Sequence, residues 1–241
     1  MGASVIDLLF ATEGIAKFAC CESDERAAGS PSSRAIWFFG IAPEAASDAC
    51  SAIPARPGSG SHAREMQRGV YQRRALKLLA AVNGYRVEEF ARFAGNERPF
   101  VAGGRGYFKG NLYPFPYQAR HAWAEPAVTR TGTADKREYE RWCVDLRLPA
   151  IKAWVDEYRP RIFIGVGIRW RQDFSKAVFG DARSLAEETL TVNNHGKRLL
   201  YAADGWRKLV VVPHFSGPNG LNSNASLQIA GGFIRDMMQS P

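Results

Sequence analysis

Three strand-like runs in the chain each lead into a loop whose residues could do chemistry. The last run, Lys208 to Pro213, consists of β-forming residues and opens directly into a turn-rich loop that starts at His214. An earlier run carries the carboxamide of Asn111, and the first ends in the tight turn Gly40–Pro43. Because ligands of open α/β sheets bind at the carboxyl ends of strands, we expect these three groups to meet at one sheet edge. The alternative for His214 is a loop histidine that only satisfies its own backbone.

The elements that must position these groups alternate between strands and helices. The runs with the pattern of buried strands are residues 35–40, 107–116, 161–168 and 209–213. The stretches with helical periodicity are residues 63–83, 137–158, 172–179 and 223–238, and a hairpin is predicted over 190–206. This order predicts a single α/β domain of three layers, in which a mostly parallel four-stranded sheet carries helices on both faces. Residues 1–34 are predicted to form a helical extension that packs on the domain.

Composition and charge narrow the functional classes. Of the 241 residues, 46% are hydrophobic, which excludes a disordered chain. The net charge of +8 favours a polyanionic partner, and nucleic acid fits better than a membrane surface because no predicted helix is both basic and strongly amphipathic. No apolar stretch reaches the ~20 residues of a membrane span, and Asp7 interrupts the apolar start where a signal peptide has none. We therefore expect a cytoplasmic protein.

The cysteines do not have the spacing of a metal site. They are Cys20, Cys21, Cys50 and Cys143, and no CxxC pair occurs. Adjacent Cys20 and Cys21 cannot easily point at one tetrahedral ion. We expect reduced, mostly buried thiols and no bound metal.

The three strand exits together resemble the motifs of the uracil-DNA glycosylase superfamily. The turn Gly40-Ile41-Ala42-Pro43 is similar to the family's first motif in its Gly-x-Ala-Pro versions. Asn111 with Pro114 is similar to the second motif, a strand that ends at an asparagine. His214 and Ser216 match the third motif, a His-Pro-Ser-type loop after a late strand. The resemblance spans about residues 35 to 238 and implies the same three-layer fold.

The resemblance implies a DNA glycosylase that flips out uracil or a related deaminated base and hydrolyses its N-glycosidic bond. Such an enzyme needs no cofactor or metal, acts as a monomer, and associates with the nucleoid when it works on DNA. Asn111 would read N3–H and O4 of the base, and His214 would stabilise the departing base anion at O2. The Gly40–Pro43 turn would bind the base, with the backbone amides of Ile41 and Ala42 as donors. The loop residues implied to contact DNA are Ser216, Gly217, Pro218, Asn219 and Leu221.

Two features depart from the family pattern. Ala42 occupies the position where several branches have an Asp or Asn that positions the attacking water, so Glu44 and Asp48 are the candidate catalytic carboxylates. The alternative is that both residues are acids in a loop that face solvent and have no catalytic role. Phe215 replaces the usual proline. The aromatic residue that stacks on the base is not fixed by a motif; Tyr71, Phe108 and Tyr113 are candidates, and each could instead belong to the core.

Two other functions stay open at this point. The first is a catalytically inactive protein of the same fold that binds nucleic acid, which Ala42 and Phe215 favour. The second is an enzyme that processes a nucleoside or nucleotide. The placement of charge separates a polymer from a small molecule, since a basic rim around the strand exits favours the polymer and a closed neutral pocket favours the small molecule.

Overall fold

The computed structural model of this chain describes residues 29, 31–42, 69–101, 104–113 and 135–240. Its strands are β1 (Ile36–Gly40), β2 (Tyr107–Asn111), β3 (Ile162–Val166), β4 (Ala186–Val192), β5 (His195–Asp204) and β6 (Arg207–Val212). Its helices are α1 (Val70–Val82), α2 (Phe90–Glu97), α3 (Lys136–Trp142), α4 (Leu148–Tyr158), α5 (Arg171–Phe179) and α6 (Asn224–Gln239). Short 3-10 turns at Val87–Glu89 and Ile168–Trp170 precede α2 and α5. Of the predicted N-terminal extension, residues 1–28 and 30 lie outside the described residues.

The strands form one sheet in the order β2-β1-β3-β6-β5-β4. The first four strands of that order are parallel, and β5 and β4 continue the sheet antiparallel to β6. The predicted α/β class is therefore confirmed, whereas the predicted count of four strands is wrong because the hairpin joins the same sheet. Strand β5 is ten residues long, and its Leu199 and Leu200 are buried beside β6. The pairing of β5 with β6 covers an edge of the parallel strands that would otherwise be open.

Alternation along the strands divides the core into two layers. In β1, Ile36 and Phe38 pack against α1 and α6, whereas Trp37 and Phe39 pack against α4 and α5. Every residue of β1 and β3 is buried, as expected for parallel strands that helices cover on both faces. Within the described residues, no helix has the length and apolarity needed to cross a membrane.

Helices α1 and α6 run side by side in the same direction. A Cβ added to Gly231 of α6 would lie 2.3 Å from the Cβ of Ala81 in α1, so the two backbones approach closely there. The sequence favours Asn222 or Ser223 as the N-cap of α6, and the structure assigns Ser223, whose hydroxyl oxygen accepts the backbone N–H of Ser226 at 3.1 Å. Gly84 follows the helix that the sequence predicts over residues 63–83, and glycine suits the position just after a helix end. Its φ of 85° is positive, as that position requires.

The helix predicted over residues 137–158 contains a π-helical turn, Cys143–Arg147, between α3 and α4. Pro149 in this stretch predicts a split or kink near Arg147, but the proline fits within the first turn of α4, where no backbone donor is required. The wider π turn rotates the face that follows it. Leu146, predicted to point inward, is 48% exposed, and Arg147 is buried in its place.

Candidate functional site

The ends of β1 and β2 bring the carboxamide of Asn111 over Gly40. The two residues are partners in the sheet register, and the pairing continues past the strands, with Leu112 N–H donating to the Gly40 carbonyl at 3.1 Å. A Cβ at Gly40 would lie 2.6 Å from Asn111 Oδ1. Only glycine therefore leaves room for this side chain at that point of the strand.

Arg147 holds the backbone around Asn111 through two hydrogen bonds to carbonyl groups. Its Nε donates to the Leu112 carbonyl at 2.7 Å, and its Nη2 donates to the Asn111 carbonyl at 2.6 Å. Burial lowers the pKa of Arg147 to about 10, so the guanidinium is still charged at neutral pH. Arg147 was not among the residues predicted from the sequence. The only signal was a charged side chain on a helix face otherwise occupied by apolar residues.

Tyr71 of α1 connects Asn111 with the loop after β6. Its hydroxyl would lie 3.2 Å from a Cβ at Gly40, and its ring centroid lies 6.0 Å from that of His214 and 5.1 Å from that of Phe215. The structure thus brings four of the predicted site residues to the same sheet edge: Gly40, Tyr71, Asn111 and His214.

The hydrogen bonds of His214 select one form of its imidazole. Ser216 N–H donates to His214 Nδ1 at 3.2 Å, and Ser216 Oγ lies 2.7 Å from the same nitrogen. A backbone N–H can only donate, so Nδ1 must act as the acceptor and the proton of the neutral ring sits on Nε2. His214 is exposed and its Nε2 is a hydrogen-bond donor, which suits an imidazole that stabilises negative charge on a ligand.

The loop that carries His214 is tightly built. Phe215 turns into the core and stacks on Phe38 at 6.2 Å, while Leu221 N–H donates to the His214 carbonyl at 3.1 Å. Side chains from outside the loop also hold its carbonyls, since Arg74 donates to Phe215 and Lys197 donates to Pro218. The residues left exposed on the loop are His214, Ser216, Gly217, Pro218 and Asn219.

Other predicted residues do not reach this arrangement. Phe108 is fully buried between Trp37 and Phe39, so its ring cannot stack on a base at the sheet edge. Leu221 is also fully buried and cannot enter a DNA duplex from this position. Pro43, Glu44 and Asp48 lie outside the described residues. Ile41 and Ala42 are half-buried at the end of β1.

A second polar pair lies on the opposite face of the sheet. The Tyr113 hydroxyl donates to Asp173 Oδ2 at 2.9 Å, and the Tyr113 ring meets Trp170 edge-on at 5.1 Å. Burial raises the pKa of Asp173, although the Tyr113 hydrogen bond and the nearby Lys176 act in the opposite direction. Tyr113 was a candidate to stack on a base, but it is 1% exposed and belongs to the core beside α5.

Within the described part of the chain, no group of three or more His, Cys, Asp or Glu side chains could hold a metal ion. Cys143 is buried, and burial raises the pKa of its thiol to about 12.

Comparison with known proteins found no family model and no curated protein that matches this chain. The motifs and the geometry at the sheet edge are therefore the features of this chain that indicate a function.

Proposed function

We propose that the protein is a DNA glycosylase that removes uracil or a related deaminated base from DNA. The observation that carries the proposal is the convergence of Gly40, Tyr71, Asn111 and His214 at the carboxyl edge of a parallel sheet. Removing a base from DNA requires a pocket that reads the edge of a flipped-out base and a donor that stabilises the base as it leaves.

Asn111 supplies the reading group. Its Oδ1 accepts the N3–H of uracil, and its Nδ2 donates to O4, a pattern that cytosine cannot match because it presents an acceptor at N3 and an amino group at C4. The backbone turn after Gly40 forms the floor of this pocket, and Tyr71 bounds it between Asn111 and His214. Arg147 keeps the carboxamide in register by holding the two carbonyls at the end of β2.

His214 supplies the stabilising donor. As the N-glycosidic bond breaks, its electron pair goes to the base, and negative charge develops at O2. The Nε2–H of a neutral His214 donates to that oxygen, an arrangement that the Ser216 hydrogen bonds to Nδ1 support. Water then attacks C1′ of the sugar, and in this proposal Glu44 or Asp48 positions it, as the carboxylates nearest in sequence to Ala42.

Base release from uracil-containing oligonucleotides tests the proposal. We expect the protein to release uracil from at least one of single-stranded, U:A or U:G substrates, and His214→Ala to lower the rate by about 100- to 1000-fold. The matched control is His195→Ala, because His195 is an exposed histidine at the start of β5. If the unmodified protein releases no base from these substrates or from oligonucleotides that carry other deaminated bases, the enzymatic proposal is wrong.

Ala42 favours one alternative, a protein of the same fold that binds DNA without cutting it. It predicts salt-sensitive binding of DNA, no base release, and little effect of His214→Ala on affinity. The same oligonucleotides, followed by binding and by product formation, separate the two functions.

A further inference from the structure

A groove of about 250 Å³ lies between the first turns of α1 and the start of α6. Its polar walls are Arg73, Arg74 and Lys77 from α1 and Asn222 and Asn224 from the other side; we call these five residues the basic groove. Among the described residues that line it, none is acidic. Arg74 also donates to the Phe215 carbonyl, so the basic groove adjoins the loop that carries His214.

The positive charges of the basic groove meet neutral partners. Lys77 Nζ donates to Asn224 Oδ1 at 2.8 Å, Arg74 donates to a carbonyl, and Arg73 is exposed. Within the described ranges no carboxylate forms an ion pair with any of the three cations. The nearest acid in this network is Glu88, whose Oε1 accepts from Asn224 Nδ2 at 3.0 Å. Three cations without a paired carboxylate leave a local field that attracts an anion.

The backbone adds to the same field. Helices α1 and α6 both begin at the carboxyl edge of the sheet and run in one direction, as the contacts of Lys77 with Asn224 and of Ala81 with Gly231 show. The first residues of both helices, Val70 and Asn224, line the basic groove, so the partial positive charge of both amino ends lies beside it. Side-chain cations and helix ends thus act together on one open surface.

We propose that the basic groove binds the phosphodiester backbone of the DNA strand beside the flipped nucleotide, an inference that rests on the proposed glycosylase function. Arg73 and Lys77 are one helical turn apart, about 6 Å along the axis. Successive phosphates of one strand are separated by about 3.4 Å of rise, so the two cations span about two nucleotides. Val70, 59% exposed beside them, offers an apolar edge to the sugars. A row of cations on an open groove fits a strand better than it fits one small anion.

Binding of lesion-free DNA tests this assignment without depending on base release. The probe is a fluorescent single-stranded oligonucleotide without uracil, followed by anisotropy over a series of salt concentrations. The test variant is the double substitution Arg73→Gln and Lys77→Gln, which leaves the loop contact of Arg74 intact. The control variant is Arg86→Gln with Arg92→Gln, two exposed arginines that pair with Glu89 and do not line the groove. Thermal unfolding of both variants checks that they are folded.

We expect the test variant to bind at least about 10-fold more weakly at low salt. The slope of log affinity against log salt should fall in magnitude by about 1.4, since each phosphate contact of a single strand contributes about 0.7. The control should change affinity by less than about 2-fold. Unchanged affinity and slope in the test variant would overturn the inference, as would competition by inorganic phosphate or a mononucleotide at the concentration of the oligonucleotide. If groove variants weaken binding but the protein releases no base, only the proposed enzymatic function fails. If the protein releases base and the groove variants bind normally, only this inference fails.

Discussion

Asn111 and Gly40 illustrate how one missing side chain can make room for a neighbouring carboxamide. The sheet register sets the two residues opposite each other, and the absence of a Cβ at Gly40 lets the Asn111 carboxamide lie across the end of β1. Tyr71 then approaches the same point from α1. The space left by Gly40 is therefore one condition for this position of the carboxamide.

Gly40→Ala should therefore damage the site more than the fold. The new Cβ would meet Asn111 Oδ1 at 2.6 Å and the Tyr71 hydroxyl at 3.2 Å, both at the far ends of side chains that can move. We expect base release to fall about 100-fold, because a displacement of about 1 Å at a reading group has that effect. The free energy of unfolding should change by less than about 1.5 kcal/mol.

Uracil release and urea denaturation measure the two quantities. Gly95→Ala is the matched control, since a Cβ at this exposed position in α2 meets nothing within 4 Å. Full activity of Gly40→Ala would show that the position of the Asn111 carboxamide does not matter for the reaction.

At the scale of residues, the sequence predicts the groups at strand ends better than their supports. His214 and Asn111 follow buried apolar runs, and the topology of parallel strands brings such positions together. Arg147 and Asp173 lie on helices, where the partner of a charged side chain depends on packing that periodicity does not contain. Phe108 was misplaced because the alternation of β2 turns it into the core.

At the scale of elements, local patterns predicted strands and caps but not how elements combine. Ser223 caps α6 as expected, because a capping hydroxyl acts within one turn. The hairpin β4–β5 was also predicted, yet its membership of the main sheet follows from the antiparallel pairing of β5 with β6, the next strand in the chain. The π turn Cys143–Arg147 has no simple sequence signature, and it decides that Arg147, instead of Leu146, faces inward.

Two adjacent glycines in α6 test the packing of α1 against α6. A Cβ at Gly231 would lie 2.3 Å from the Ala81 Cβ, whereas a Cβ at Gly232 would meet nothing within 4 Å. We expect Gly231→Ala to destabilise the protein by about 1–3 kcal/mol, because the helices must move apart. Gly232→Ala should instead stabilise it by up to about 1 kcal/mol, since alanine is the better helix former.

Urea denaturation of the two variants gives the comparison directly, because the substitutions are chemically identical and neighbours in one helix. Equal effects at the two positions would contradict the close approach of the helices. Because α1 and α6 also form the walls of the basic groove, Gly231→Ala should weaken binding of lesion-free DNA, whereas Gly232→Ala should not.

At the scale of the whole molecule, the sheet has a rigid centre and a weaker edge. Strand β3 lies between β1 and β6, and all of its residues are buried. Strand β4 ends the described sheet, pairs only with β5, and has mostly exposed or half-buried side chains. The candidate site is attached to the ends of β1, β2 and β6, whose residues are nearly all buried, so it is anchored in the well-packed parallel part of the sheet.

Hydrogen exchange should reproduce this gradient. Amides of β3 and β6 need global unfolding to exchange, which for a domain of this kind costs about 5–15 kcal/mol, whereas amides of β4 need only a local opening that exposes little apolar surface. We expect mass-spectrometric exchange to protect peptides of β3 and β6 longest, those of β5 less, and those of β4 least. Adding urea below the transition should speed exchange in β3 and β6 steeply and in β4 only weakly, because the large opening exposes more surface. Protection of β4 equal to that of β3 would contradict an independently opening edge, and would mean that the hairpin and the parallel strands that carry the site unfold as one unit.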